Sequence, residues 1–175
     1  MTTIELHARA KLLEFQALLA AEDWHFELDE ASEELRGPIN GDWVAWGVRV
    51  IASGVPDDQW VRIICTYLIT VPEARRSEMA QLLTRLNTDL NQGHFFMLFD
   101  SGCVGFDVAV HSVDEPISRA MLLRAFYRSL SCINDFSEAV LTTAFGQVSA
   151  QQAYDKAMQD EAQKALSSGD AVTLQ

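Results

Sequence analysis

Four side chains of types that bind metal ions alternate along one short segment: Asp23, His25, Glu27 and Asp29. In an extended strand, alternate side chains point to the same side, so this imidazole and these carboxylates could share one divalent ion. A strand that faces solvent shows the same alternation, and we prefer that interpretation. The other histidines are not spaced as zinc ligands are, and none lies in a His-Glu-x-x-His helix. We therefore expect neither a metal ion nor a cofactor.

A second group of reactive residues, Cys103, Asp107 and His111, lies further along the chain. Asp107 and His111 are four residues apart in a predicted strand and so share a face. Their separation along that strand is about 13 Å, which is too long for direct contact. A small-molecule-binding or enzymatic domain that uses these residues is our alternative hypothesis.

The signatures of nucleotide binding and of covalent catalysis are missing from the sequence. Its nine glycines form neither a Gly-x-x-x-x-Gly-Lys loop nor a Gly-x-Gly-x-x-Gly turn. Ser101 lies in an Asp-Ser-Gly sequence, which is typical of a hairpin turn. Cys65, Cys103 and Cys132 are odd in number and include no Cys-x-x-Cys pair, which disfavours a disulfide framework or a thiolate metal site. We predict a protein that is not an enzyme and has no catalytic residues.

Composition and charge limit the possible partners. The chain has 175 residues, of which 49% are hydrophobic and 22% charged, as expected for one globular domain. Its net charge of −12 disfavours binding to nucleic acid or to anionic membranes. Seven carboxylates and no Lys or Arg lie between Glu22 and Glu34, and we interpret this stretch either as an exposed loop or as a site for a basic peptide. Neither a signal peptide nor a membrane-spanning run is recognisable, so we expect a cytoplasmic protein.

The periodicity of the apolar residues predicts the elements that position these side chains. Helical spacing runs from Ile4 to Ala21, from Pro72 or Ser77 to Gly93, and from Pro116 or Ser118 to Phe145 with a break near Asn134. The predicted strands are Trp24–Leu28, Trp43–Ser53, Trp60–Val71, His94–Phe99 and Cys103–His111. The order α-β-β-β-α-β-β-α predicts an α+β fold, a five-stranded antiparallel sheet with the helices packed on one face. We assign residues 1–146 to this domain and residues 147–175 to a C-terminal helical extension with a polar tail.

The two faces of the predicted sheet differ in what they must contact. Alternation directs Trp46, Val48, Val50, Ile63, Cys65 and Tyr67, among others, to the core. The opposite face carries five residues that we predict to bind a partner: Trp43, Trp60, Arg62, Ile64 and Leu68. That face is more apolar than a solvated surface requires, so something should cover it. Trp43 and Trp60 could be covered either by another chain at an interface or by the C-terminal helix.

A resemblance to a known family rests on the segment Leu86-Asn87-x-x-Leu90-Asn91-x-Gly93-x-Phe95. With the two hairpins around it and the later helix that contains Leu122 and Phe126, the region from Trp43 to Phe145 resembles the YbjN-like family. The fold of that family looks like that of the type III secretion chaperones.

The resemblance implies a protein that is not an enzyme and that binds other polypeptides or acts in regulation. It also implies a homodimer, and it supplies no catalytic residues. Our first hypothesis is therefore a cytoplasmic chaperone-like or regulatory adaptor that uses the apolar sheet face to dimerise or to hold a peptide.

Overall fold

A computed structural model describes residues 3–55, 58–113, 115–146 and 148–167. Its helices are α1 (Thr3–Ala20), α2 (Arg76–Thr88), α3 (Arg119–Asp135), α4 (Ser137–Phe145) and α5 (Ala150–Ser167), and a 3-10 turn (Glu73–Arg75) precedes α2. Its strands are β1 (Glu27–Asp29), β2 (Glu34–Asn40), β3 (Ala45–Ala52), β4 (Asp58–Tyr67), β5 (His94–Leu98) and β6 (Cys103–Val113). The predicted polar tail after Ser167 lies outside the described residues. None of the described helices combines the length and the apolar character that a membrane span requires.

The α+β fold with an antiparallel sheet is confirmed, but the prediction of five strands is wrong. Six strands lie in the order β1-β2-β3-β4-β6-β5, and every neighbouring pair is antiparallel. The additional strand is β2, whose Gly37 and Pro38 resemble a turn in the sequence. β1 pairs only with Glu34–Arg36, so β2 is an edge strand at Pro38. A proline is tolerated on an edge because its missing N–H does not interrupt a ladder there.

The first strand is also shorter than predicted, since only Glu27–Asp29 pairs with a neighbour. Asp23 turns the chain after α1 with a φ of 63°. Trp24 and Phe26 still point to the core, where each packs edge-on against Phe126, with ring centres 5.4 and 5.8 Å apart. The alternation therefore placed both residues on the core side correctly, although neither lies in a strand, and Phe26 is buried while Trp24 is half-buried.

One face of the sheet carries the core. The residues predicted to point inward on β3, β4 and β6 are buried, from Trp46 and Val48 to Phe106 and Val108. The helices α1, α2 and α3 all pack on this side, and Phe15 of α1 meets Phe126 of α3 edge-on. Burial of these side chains is the main drive for the fold, at roughly 25 cal/mol per Å² of apolar surface.

The predicted break in the third helix is confirmed and lies at Phe136, between α3 and α4. The carbonyl of Ile133 accepts hydrogen bonds from the Tyr67 hydroxyl at 2.5 Å and from the Ser137 hydroxyl at 2.6 Å. These bonds attach the break to the centre of the sheet, because Tyr67 is fully buried on β4.

The last helix, α5, packs on α2 and α4 rather than on the sheet. Its buried residues are small: Ala150, Ala153 and Ala157. Arg75 links the segment before α5 to α4, because its guanidinium donates to the carbonyls of Thr143 and Val148. Where the domain ends, at residue 146 or later, stays a prediction.

Candidate functional site

Within the described residues, no helix packs on the second face of the sheet, which we call the open face. Large apolar side chains on it remain accessible to solvent: Leu68 is 63% exposed, Leu98 57% and Val113 59%. Trp60 and Phe96, on the same face, are half-buried. By strand register, Leu68 and Leu98 lie at one end of this face, whereas Val113 lies at the other end beside Trp60. Exposed apolar side chains of this kind are typical of a surface that binds another protein.

Four of the five residues predicted to bind a partner share this face. Trp60, Arg62 and Ile64 alternate along β4 and lie opposite His111, Ala109 and Asp107 of β6. Leu68 follows β4 directly, and its N–H donates to the carbonyl of Ala45 on β3. The sequence predicted both strands of the second hairpin but not their place in the sheet, where β6 lies beside β4 and β5 lies at the edge, so that both extend this face. On β5, His94, Phe96 and Leu98 lie opposite Asp107, Gly105 and Cys103.

The structure places the fifth residue, Trp43, away from the other four. Trp43 precedes β3 in the β2–β3 connection, next to Asp42, which is bound to Asn134 at the end of α3. It lines a groove between α4 and α5 on the helix side of the molecule, and it is 58% exposed. By strand register, Trp43 and Trp60 lie at opposite ends of the sheet, about 30 Å apart. The C-terminal helix therefore borders Trp43 without covering it and does not reach Trp60.

An ion pair occupies the centre of the open face. The Nε of Arg62 donates to both carboxylate oxygens of Asp107, at 2.8 and 2.7 Å, and its Nη2 also contacts Oδ2. The Asp107 side chain is only 2% exposed although no helix covers it, whereas Arg62 is 46% exposed. The hydrogen bond to Asp107 raises the pKa of Arg62 and outweighs the effect of its partial burial. Arg62 therefore stays charged and shields Asp107 from solvent.

The alternative site at Cys103, Asp107 and His111 is not assembled. Each of the three lies in a different row across the sheet, Cys103 beside Leu98, Asp107 beside His94 and His111 beside Trp60. Asp107 is held by Arg62, and burial raises the pKa of the Cys103 thiol, which disfavours the reactive thiolate. This geometry gives no nucleophile and base within hydrogen-bonding distance.

The acidic stretch Glu22–Glu34 is not a simple loop, since part of it forms a strand. It contains β1 and the β1–β2 turn, and no group of three or more potential metal ligands occurs among the described residues. Partners from outside the stretch neutralise several of its carboxylates. Arg9 of α1 pairs with Glu30, while Arg36 pairs with both Asp29 and Glu34.

The open face carries little of the net charge of −12. Its described charged side chains are Glu27, Asp29, Glu34 and Asp107 against Arg36, Arg49 and Arg62, which is four negative and three positive, or −1. Most of these groups are paired with one another. All described side chains together carry −8, so those away from the open face carry −7.

Comparison with known proteins identifies the family of the chain. A family model named YbjN, described as "Putative bacterial sensory transduction regulator", matches residues 14–142, which is most of the chain. The chain belongs to the YbjN family. No curated protein matches the sequence.

The segment that carries the resemblance to YbjN proteins joins α2 to β5. The side-chain amide of Asn87 donates to the carbonyl of Phe95 at 2.9 Å and accepts from the N–H of Phe95 at 2.7 Å. Both main-chain groups of Phe95 therefore point away from β6, and Asn87 satisfies them at the edge of the sheet. Gly93 makes the preceding turn with a φ of +76°, and a Cβ there would lie 2.4 Å from Phe106 Cζ. These two residues thus have a structural role that their spacing alone did not reveal.

Proposed function

We propose that this YbjN protein is a non-enzymatic regulatory module of the cytoplasm that acts by docking another polypeptide chain on its open face. A second copy of the chain is the occupant that the charges favour. The exposed apolar row formed by Leu68, Leu98 and their neighbours is the observation that carries the proposal. The family description, a sensory transduction regulator, agrees with a module that works through binding.

The size of the open face suits a stable interface. Six strands spaced by about 4.8 Å, each contributing some seven or eight residues of about 3.3 Å, give a surface of roughly 700 Å². A standard protein interface buries about 800 Å² on each partner. Docking along the whole face would bury slightly less than this, but within the usual spread of about 600–1,000 Å² per partner.

Charge favours a symmetric pairing through this face. Two copies that each carry −12 repel one another, and the repulsion is weakest where the charge is balanced. The open face carries −1 among its described side chains, whereas the other described side chains carry −7. The alternative to this pairing is a peptide partner that binds to the same apolar row.

The separation of Cys103, Asp107 and His111 supports a binding role rather than an enzymatic use of these residues. Asp107 is occupied by Arg62, and Cys103 and His111 lie in other rows of the sheet. What remains on the face is a mixture of apolar area and paired charges, which is the usual composition of a protein interface.

Sedimentation velocity over a hundredfold concentration range tests this function. We expect the wild type to associate and Leu68→Arg to stay monomeric, because a charge would then be buried in the apolar row. Leu166→Arg is the matched control, since Leu166 is 85% exposed on α5 and far from the sheet. A wild type that is monomeric throughout, or a Leu166→Arg variant that dissociates as Leu68→Arg does, would contradict pairing through the open face.

A further inference from the structure

A groove on the helix side of the molecule is separate from the open face. It has a volume of ≈260 Å³ and runs between α4, α5 and the β2–β3 connection. Small apolar side chains line it, with Ala139, Ala153 and Ala157 each less than 8% exposed. From Gln152 to Lys164 the groove follows α5 for about 18 Å. That length matches about five or six residues of extended chain.

Carboxylates along this groove outnumber the cations. Lys156 binds both Glu138, at 2.9 Å, and Asp160, at 2.8 Å. Lys164 binds both Asp135 and Glu161, each at 2.9 Å. Each ammonium group is thus shared by two carboxylates, and each set keeps one negative charge.

Asp42 adds a third unbalanced carboxylate at the mouth of the groove. Its described hydrogen bonds join it to the neutral amide of Asn134 and not to a cation. The groove and its rim therefore hold five carboxylates and two ammonium groups, a balance of −3. A cationic ligand would complement this charge.

Trp43 provides an aromatic surface beside these carboxylates. Its side chain is 58% exposed and is in contact with no other described aromatic ring. An indole next to negative charge is the most favourable side chain for binding an ammonium or guanidinium group. The aliphatic stem of a Lys or Arg would at the same time cover the alanines of the groove.

We propose that this groove binds a basic segment of another polypeptide, with an Arg or Lys side chain on Trp43 and its neighbours along α5. The length of the groove favours a peptide over a small free cation. The apolar lining favours a peptide too, because it gives the stems of several side chains a surface to bury. This binding is independent of the open face, which lies on the other side of the sheet.

Fluorescence anisotropy with a labelled six-residue peptide of alternating arginine and alanine tests the proposal on the full chain. We expect saturable binding that weakens as salt is raised, and no binding of the matched peptide of glutamate and alanine. Trp43→Ala should weaken binding at least fivefold without changing the charge, which separates this site from general attraction to an acidic protein. Lys156→Gln should strengthen binding severalfold, because it removes a competing cation from the groove.

Trp60→Ala is the control, since it removes a tryptophan from the open face. It should leave the affinity for the arginine peptide unchanged. The proposal is overturned if the peptide does not bind at millimolar concentration, if Trp43→Ala binds as well as the wild type, or if Trp60→Ala weakens binding equally. Circular dichroism of each variant verifies that the fold is retained.

Discussion

Replacing Asn87 with alanine is expected to destabilise the protein by about 2 kcal/mol, because Asn87 satisfies the N–H and the carbonyl of Phe95. A buried polar group that loses its partner costs about 1–3 kcal/mol. Phe95 is 2% exposed, but Asn87 is half-buried, so water can reach part of the vacated space. We therefore expect the loss of a partner to cost an amount in the lower half of that range for the N–H and for the carbonyl of Phe95. The higher helix propensity of alanine offsets about 0.5 kcal/mol of this total.

Urea unfolding followed by circular dichroism measures this loss. With a slope of about 2 kcal/mol per molar urea for a domain of this size, the midpoint should fall by about 1 M. Asn91→Ala is the matched control, since Asn91 is exposed just after α2 and should change the midpoint little. Asn87→Asp should lie between the two, because it keeps the acceptor for the Phe95 N–H and loses the donor to its carbonyl.

A change below about 0.5 kcal/mol in Asn87→Ala would refute this reasoning, because surface substitutions without a structural role fall in that range. So would an equal effect of Asn91→Ala. Either result would mean that the amide does not hold α2 against β5.

Three further predictions concern the Arg62–Asp107 ion pair and the three thiols. Arg62→Met should lower the free energy of unfolding by about 1–3 kcal/mol in urea titrations, since it leaves the buried Asp107 carboxylate without its cation; a neutral effect would mean that the pair adds nothing. Burial raises the pKa of Cys65 to about 12 and that of Cys132 to about 11, from an ordinary 9.0. Below pH 9, both thiols are protonated in the folded and in the unfolded chain, so their full contribution to stability is present. As the pH rises from 9 toward the folded pKa of 11 or 12, only the unfolded chain loses these protons. The free energy of unfolding therefore falls by about 1.4 kcal/mol per pH unit for each such thiol. Unfolding curves that do not move between pH 9 and pH 11 would contradict this. At pH 8, a thiol reagent should modify only the half-buried Cys103 in the folded protein and all three cysteines in denaturant, whereas rapid reaction of Cys65 would disprove its burial.

The sequence predicted the two faces of the sheet better than it predicted the strands. Alternation requires only that one side of a strand be apolar, so Val48, Ile63 and Val108 were assigned correctly to the core. The same argument placed Trp60, Ile64 and Leu68 on the open face. The break in the third helix was also predicted, because Asn134 and Asp135 interrupt the apolar spacing.

Long-range packing explains what the sequence did not show. Pro38 looks like a turn residue, and only the short length of β1 makes it acceptable in a strand. Trp43 lies just before β3, where alternation no longer decides the direction of a side chain, and Asp42 holds it beside α3. The ion pair of Arg62 with Asp107 joins residues 45 positions apart, which no local pattern reveals.

Site-specific photo-crosslinking shows whether a polypeptide docks on the open face. A photoreactive phenylalanine analogue would replace Leu68 on that face or, as a control, Leu166 on α5, and the protein would be irradiated in the cells that produce it. We expect one dominant product from position 68, with twice the mass of the chain, and none from position 166. No product from position 68, or the same products from both positions, would contradict docking on the open face.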